Sequence, residues 1–243
     1  MTAKLTTDID YYRKSCMRLR TTAWILHFFS HDLPYPPADG PVGHVGMLKT
    51  VFSRAVIRMT YFAEQFVKHL EHELVAADEM ALQPDHAQEF GRQTDDALFF
   101  NFDAFVFSSK VITEKNLLDT GRTYFHTSIR GQYNTFIDGF LVGFNVRLRD
   151  IRNEISHVNR VGTAIGSTLF CEKGNITIRS EHNNGKDLIL LFDELFRNTI
   201  AFIEGMNKII LNNDCAEYGF PTKDMNWNNV VKTSEYVAVK PQA

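Results

Sequence analysis

The sequence predicts an all-α protein, a helical bundle of about five to six helices with a small β-hairpin inserted before the last helix. One observation is the long interval without proline between Pro84 and Pro221, which leaves room for several uninterrupted helices. A second is the helical spacing of apolar residues within 45–74. A third is the change to short β-prone runs within 167–181.

The first helix is expected from about Asp8 to His31, and the segment DLPYPPADGPVGHVG that follows it is typical of a loop. The second helix is expected to begin near Val45 and to run for about eight turns. Its apolar residues recur every three or four positions, so they lie on one face of the helix. They are Leu48, Phe52, Ala55, Met59, Phe62, Phe66, Leu70 and Leu74.

After a polar loop around Pro84, the segment 95–118 contains LFFNFDAFVF and has more apolar residues than a single stripe needs. It is expected to be a helix buried on more than one side, with its phenylalanines in the core. Residues 130–160 are expected to form either one helix or two helices broken near Gly139 and Gly143, because glycine is a weak helix former.

The hairpin is expected on either side of Lys173-Gly174-Asn175, and the last helix over about 186–211. The whole chain is expected to form a single domain, 1–243, with its core at about 45–211. Residues 1–44 then supply an N-terminal helix and a Pro/Gly-rich loop. Residues 212–243 are expected to form an irregular tail that Trp227 anchors.

Composition limits the functional classes. The chain has 243 residues, 44% of them hydrophobic, and a formal net charge of −3, which argues against a protein that coats nucleic acid by charge alone. Its three cysteines lack the spacing of a disulfide framework or a zinc module, and the N-terminus lacks the apolar core of a signal peptide. A cytoplasmic protein is therefore expected, with no membrane contact and no cofactor.

The segment RDIRNEISHVNR, residues 149–160, carries the most informative pattern. On a helix that advances about 100° per residue, Phe144, Leu148, Ile151, Ile155 and Val158 fall within an arc of about 80° that packs inward. A neighbouring arc of about 140° is polar. It holds Arg149, Arg152, Asn153, Ser156, His157 and Arg160. Guanidinium groups bind phosphate oxygens, and a histidine can move a proton near neutral pH.

The six residues Arg152-Asn153-Glu154-Ile155-Ser156-His157 resemble the signature of the HEPN superfamily, in which an arginine precedes a histidine by four to six residues and a polar residue such as asparagine often follows the arginine. HEPN domains are bundles of four to five helices, and the resemblance extends over about 45–211. Only the six-residue motif is specific.

The resemblance implies metal-independent cleavage of RNA by a symmetric homodimer whose two motif helices line one cleft. His157 is then the general base or orienting group for the ribose 2′-hydroxyl, Arg152 binds the phosphate, and Asn153 positions the motif. The products are a 2′,3′-cyclic phosphate and a 5′-hydroxyl. From the angular pattern, Arg149, Ser156 and Arg160 are expected to grip the RNA backbone.

Such proteins act in toxin–antitoxin or antiphage-defence systems, so an antitoxin or regulatory protein is a further expected partner. Asn159 stands where some HEPN toxins carry a tyrosine that a nucleotidyltransferase antitoxin modifies, which argues against that pairing. Two alternatives stay open. One is a HEPN-fold module that binds RNA, a nucleotide or a protein without cutting. The other is an unrelated helical protein whose polar stripe is a partner interface.

The segment HLEHE places His69, His72 and Glu73 close together on the second helix. It lacks the HExxH spacing of a zinc protease. We therefore expect no metal there, and a solvated helix face instead.

Overall fold

In the computed structural model the residues described are 3–32, 41–81, 89–159, 167–172, 175–180 and 187–218. They form seven α-helices, one π-helical segment and a three-stranded sheet. The helices are α1 (Ala3–Asp32), α2 (Pro41–Ala81), α3 (Asp96–Ile112), α4 (Lys115–Tyr124), α5 (Thr127–Phe140), α6 (Val146–Asn159) and α7 (Leu188–Tyr218). The π-helical segment is Leu141–Asn145, and the strands are β1 (Glu89–Gln93), β2 (Ser167–Glu172) and β3 (Asn175–Ser180). The all-α bundle with a hairpin before its last helix is confirmed.

The predicted apolar face of α2 forms the centre of the core. Of the eight residues on that face, seven are buried and Phe62 is half-buried. This face packs against α1 and α3 along its length. The helical period of α2 therefore specified its inward side correctly, since a 3.6-residue repeat places these side chains on one stripe.

Helix α1 also belongs to the core, whereas the sequence placed the core at about 45–211. Ile9, Tyr12 and Leu19 are buried on α1. The Tyr12 hydroxyl donates to Asp193 Oδ1 of α7 at 2.9 Å. Arg197 joins the same carboxylate and also reaches Asp8, so polar contacts fasten α1 to α7 as well.

The phenylalanine-rich helix α3 is buried on more than one side, as predicted. Phe99, Phe102 and Phe105 are fully buried, while Phe100 is 57% exposed. The helix ends at Ile112 and not near Leu118, because the Thr113 backbone leaves the helical conformation and the Thr113 hydroxyl bonds to the carbonyl of Lys110. Helix α4 begins at Lys115, two residues after Thr113.

The chain between 127 and 159 is two helices joined by the π-helical segment. Of the two alternatives that the sequence left open, one helix or two, the structure has two, with the interruption beside Gly139 and Gly143. A π-helical turn inserts an extra residue into the helix and changes the direction of its faces. The residues that face inward on α6 are therefore not in register with those that face inward on α5.

The small sheet contains one strand that the sequence did not predict. Strands β2 and β3 form the expected antiparallel hairpin. Strand β1, placed by the sequence within a polar loop, pairs antiparallel with β2, with Phe90 opposite Cys171. The segment EFGRQ has no alternating apolar pattern, so only its long-range backbone pairing makes it a strand.

Helix α7 continues to Tyr218, whereas the sequence predicted an irregular tail from Asn212. Two long-range contacts stabilise the added turns. Lys49 Nζ lies 2.7 Å from the Asp214 carboxylate, and Asn213 Oδ1 accepts the backbone N–H of His126 at 2.7 Å. The predicted anchoring residue, Trp227, lies outside the described residues. Within the described ranges no helix combines the length and apolar character needed to cross a membrane.

Candidate functional site

Helix α6 presents the motif on the edge of its packed face. Leu148, Ile151 and Ile155 are buried, as the angular pattern predicted, and α6 packs on α3 through this side. Arg152 directly follows a buried residue and is itself half-buried. Its guanidinium is therefore held close to the surface of α3.

Arg152 is positioned by an aromatic ring and not by an acid. Its guanidinium carbon lies 5.7 Å from the centroid of the Phe107 ring on α3. None of the side chains that the structure describes forms a salt bridge with it. An arginine stacked on an aromatic ring keeps its N–H donors available at its edge. Arg152 can therefore receive an anion without first leaving a carboxylate.

Arg152 lines a cavity of about 430 Å³ whose walls come from α2, α3, the α3–α4 junction and α6. Two further cations line it, Arg58 on α2 and Lys110 on α3. The Arg58 guanidinium carbon lies 5.8 Å from the centroid of the Phe62 ring, so two arginines stack on rings at the same cavity. A small protein of net negative charge thus collects three cations around one opening.

Lys110 lies close enough to the motif for the charges of Arg149 and Arg152 to affect its pKa. Its Nζ donates to Asn145 Oδ1 at 2.8 Å. Burial lowers the pKa of Lys110, Glu114 raises it, and the charges of Arg152 and Arg149 lower it further. Glu114, which also lines the cavity, counteracts the repulsion among these cations, and the charge of an anionic ligand would relieve it further.

The cavity also contains a buried acid, Asp103, which sequence reasoning missed as a functional residue. Asp103 is 7% exposed, and its Oδ1 has no hydrogen-bond partner among the described residues. Burial raises the pKa of Asp103 from 3.8 to about 7. The signal was present in the sequence, because an acid within LFFNFDAFVF stands on a helix predicted to be buried on more than one side.

The other predicted site residues are placed as follows. Arg149 is exposed and contacts Asp150 Oδ1 through Nε at 3.3 Å. Asn153 is exposed on α6. Ser156 and His157 belong to the last turns of α6, and their side chains lie outside the described part of the structure. Arg160 lies outside the described residues altogether.

The segment HLEHE has a structural role. Glu73 is buried, contrary to the expected solvated face, and accepts the backbone N–H of Asp95 at 2.8 Å. His69 Nδ1 lies 3.4 Å from Asp95 Oδ2. These contacts hold the start of α3 against α2. Among the described residues, no group of histidine, cysteine and acidic side chains could hold a metal ion.

The chain matches no protein-family model, and comparison with curated proteins and with solved structures found no match. The resemblance to HEPN proteins therefore depends only on the six-residue motif from Arg152 to His157.

Proposed function

We propose that this protein is a metal-independent endoribonuclease of the HEPN type that acts as a symmetric homodimer, as a toxin or an antiphage-defence effector. The observation that carries the proposal is Arg152. This arginine of the motif lines a cation-rich cavity, stacks on Phe107 and has no salt bridge among the described side chains.

In the proposed reaction Arg152 binds the scissile phosphate and stabilises the negative charge that grows on its oxygens. Arg149, Lys110 and Arg58 add positive potential around it, and Arg160 and Ser156 contact the RNA backbone. The cations offset the negative net charge of the chain at the place where a polyanion binds.

His157 removes the proton from the ribose 2′-hydroxyl, which attacks the adjacent phosphorus in line. The bond from phosphorus to the 5′-oxygen breaks, and this oxygen takes a proton from solvent. The products are a 2′,3′-cyclic phosphate and a 5′-hydroxyl. Asn153 orients the phosphate or the motif by hydrogen bonding, and no step requires a metal.

The proposed dimer forms through α6 and the π-helical segment before it. Val142 is 83% exposed, and Val146 is also exposed. Of the residues that the structure describes, none outside their own helix would lie within 4 Å of a Cβ at Gly139 or Gly143. Small and apolar exposed residues allow a second backbone to approach closely, and a two-fold axis there brings the two motifs together.

A non-catalytic module that binds a nucleotide is the second candidate. The observation that favours it is the size of the cavity, which falls within the range of about 300–1,000 Å³ found for small-molecule sites. This candidate predicts binding without cleavage.

Cleavage of structured and single-stranded RNA in excess EDTA tests the proposal. The parent protein should cut and leave cyclic phosphate ends. His157→Ala should abolish cutting, and Arg152→Ala should slow it by about 10²- to 10³-fold, the typical loss when one charge-stabilising donor is removed. Arg147→Ala is the matched control, because Arg147 lies on the same helix but pairs with Glu194 outside the cavity.

Each variant should keep the circular dichroism spectrum and oligomeric state of the parent. Binding of RNA or a nucleotide without cleavage would favour the non-catalytic module. Equal cleavage by the parent and His157→Ala would contradict the proposed role of the motif.

A further inference from the structure

The walls of the Arg152 cavity combine three kinds of surface. The rings of Phe62, Phe100 and Phe107 contribute apolar area, and Phe100 remains 57% exposed beside the opening. Bases of single-stranded RNA stack on such rings. The aromatic wall is therefore suited to a planar base.

The cations of the cavity are suited to the other part of a nucleotide. Arg58 stacks on the Phe62 ring, and Arg152 stacks on the Phe107 ring. Lys110, on α3, donates a hydrogen bond to Asn145 of the π-helical segment. Arginine and lysine bind phosphate oxygens. A ligand with a flat apolar part and an adjacent phosphate can contact both the phenylalanine rings and the cations of the cavity.

Asp103 adds a requirement for hydrogen-bond donors. It is 7% exposed and lines the cavity, and no residue in the described part of the chain forms a hydrogen bond with its Oδ1. An unsatisfied buried polar atom is costly. None of the three cavity cations forms a salt bridge with it among the described side chains, so a hydrogen-bond donor on a ligand would satisfy a carboxylate that these cations leave unpaired.

The four bases differ in the hydrogen-bond donors that their Watson–Crick edges can offer to a carboxylate. A carboxylate only accepts hydrogen bonds. On its Watson–Crick edge guanine carries two adjacent donors, N1–H and the N2 amino group, which match the two carboxylate oxygens. Adenine and cytosine place a ring-nitrogen acceptor beside their amino donor, and uracil flanks one donor with two carbonyls. Those acceptors would face the negative charge of Asp103.

We infer that the cavity holds a guanosine of the RNA next to the scissile phosphate, and that the Asp103 carboxylate selects this base. The inference rests on the proposed function. Asp103 is then a specificity-determining residue, Phe100 and Phe107 stack the base, and Arg152 connects the selected nucleotide to the phosphate that is cut.

The test measures binding in the His157→Ala background, so that cleavage does not interfere. The probes are a fluorescent all-cytidine RNA hexamer, the same hexamer with one central guanosine or adenosine, and free GMP. Guanosine should improve the dissociation constant by about ten- to hundredfold over cytidine or adenosine, the usual value of a bidentate base contact.

Asp103→Asn should abolish this guanosine advantage, measured as the ratio of the dissociation constants of the all-cytidine and guanosine hexamers for the same variant. Asp10→Asn removes a carboxylate from the exposed surface of α1, away from the cavity lining, and should keep the advantage. The parent should also gain preference for guanosine between pH 6 and pH 8, because only the ionised carboxylate accepts both donors and burial raises its pKa to about 7.

An equal affinity of the His157→Ala protein for all three hexamers would overturn the inference, whether or not the unsubstituted protein cleaves RNA. Tighter binding of free GMP than of the hexamers, with no guanosine advantage among the hexamers, would also overturn the inference. It would indicate a site for a free nucleotide. A guanosine advantage without any cleavage by the parent would instead reject the nuclease and keep the base selection.

Discussion

The guanidinium carbon of Arg152 lies 5.7 Å from the centroid of the Phe107 ring, which joins the motif helix α6 to the phenylalanine-rich helix α3. This contact explains how a half-buried arginine keeps its position although none of the described acidic side chains pairs with it. The ring supplies a flat surface and a weak electrostatic attraction, while the N–H donors point away from it. The motif is thus oriented by a residue 45 positions earlier in the chain.

Replacing Phe107 with leucine should lower the rate of RNA cleavage by about two- to fivefold. A cation–π contact at a partly exposed site contributes about 0.5–1 kcal/mol, and its loss leaves Arg152 free to adopt other rotamers. Initial rates in EDTA measure the effect. Phe107→Tyr keeps the ring and should retain most of the activity. Leucine and tyrosine variants with the same rate would show that the ring does not position Arg152.

Asp103→Asn should stabilise the fold, and the gain should grow with pH. Burial raises the folded-state pKa of Asp103 from 3.8 to about 7. Between these values the unfolded carboxyl is ionised while the folded one is still protonated, so the stability of the parent falls as pH rises. Above pH 7 the loss is constant. At about 1.4 kcal/mol per pKa unit it amounts to roughly 4 kcal/mol at most.

Urea unfolding of parent and variant at pH 4, 5.5 and 8 checks this dependence. The charged groups that share the cavity with Asp103 are Arg58, Lys110, Glu114 and Arg152. A constant difference between parent and variant at all three pH values would contradict the raised pKa.

Val142→Asp should convert the proposed dimer to monomers and abolish cleavage. A two-fold axis through this face places two copies of each substitution close together, so one change introduces two repelling carboxylates. Sedimentation velocity should show weakening of the dimer by more than about a hundredfold, as expected for a repulsion of several kcal/mol. Val75→Asp is the matched control, because Val75 is 52% exposed on α2. Loss of the dimer in both variants would argue against the α6 face.

Lys49→Met should lower the free energy of unfolding by about 3 kcal/mol, because it removes the buried ammonium group that pairs with the half-buried Asp214 carboxylate. Burial raises the pKa of Asp214, and Lys49 acts in the opposite direction. Chemical denaturation measures the loss. The double variant Lys49→Met/Asp214→Leu should recover part of it. Lys68→Met, at an exposed position of α2, should change stability by less than about 0.5 kcal/mol.

Several elements were predictable because their signal is local. The apolar stripe of α2 repeats at the helical period, and the interruption at Gly139 and Gly143 follows from the weak helix propensity of glycine. The predicted inward face of α6 is confirmed at Leu148, Ile151 and Ile155 for the same reason. Each of these patterns is contained within one stretch of chain.

Other features depended on partners far along the chain. Strand β1 has no alternating pattern and exists because its backbone pairs with β2. The last turns of α7 are polar, but Asp214 and Asn213 find partners on other elements. Short-range patterns carry no information on such pairings.

The sequence by itself determined the class of the protein, the inward faces of α2 and α6, and the candidate motif from Arg152 to His157. Helical periodicity and residue chemistry are sufficient for these. Only the tertiary structure placed Arg152 on Phe107 and gathered Arg58, Lys110 and Asp103 around the same cavity. These residues come from three helices, and the packing of the helices decides which of their side chains meet.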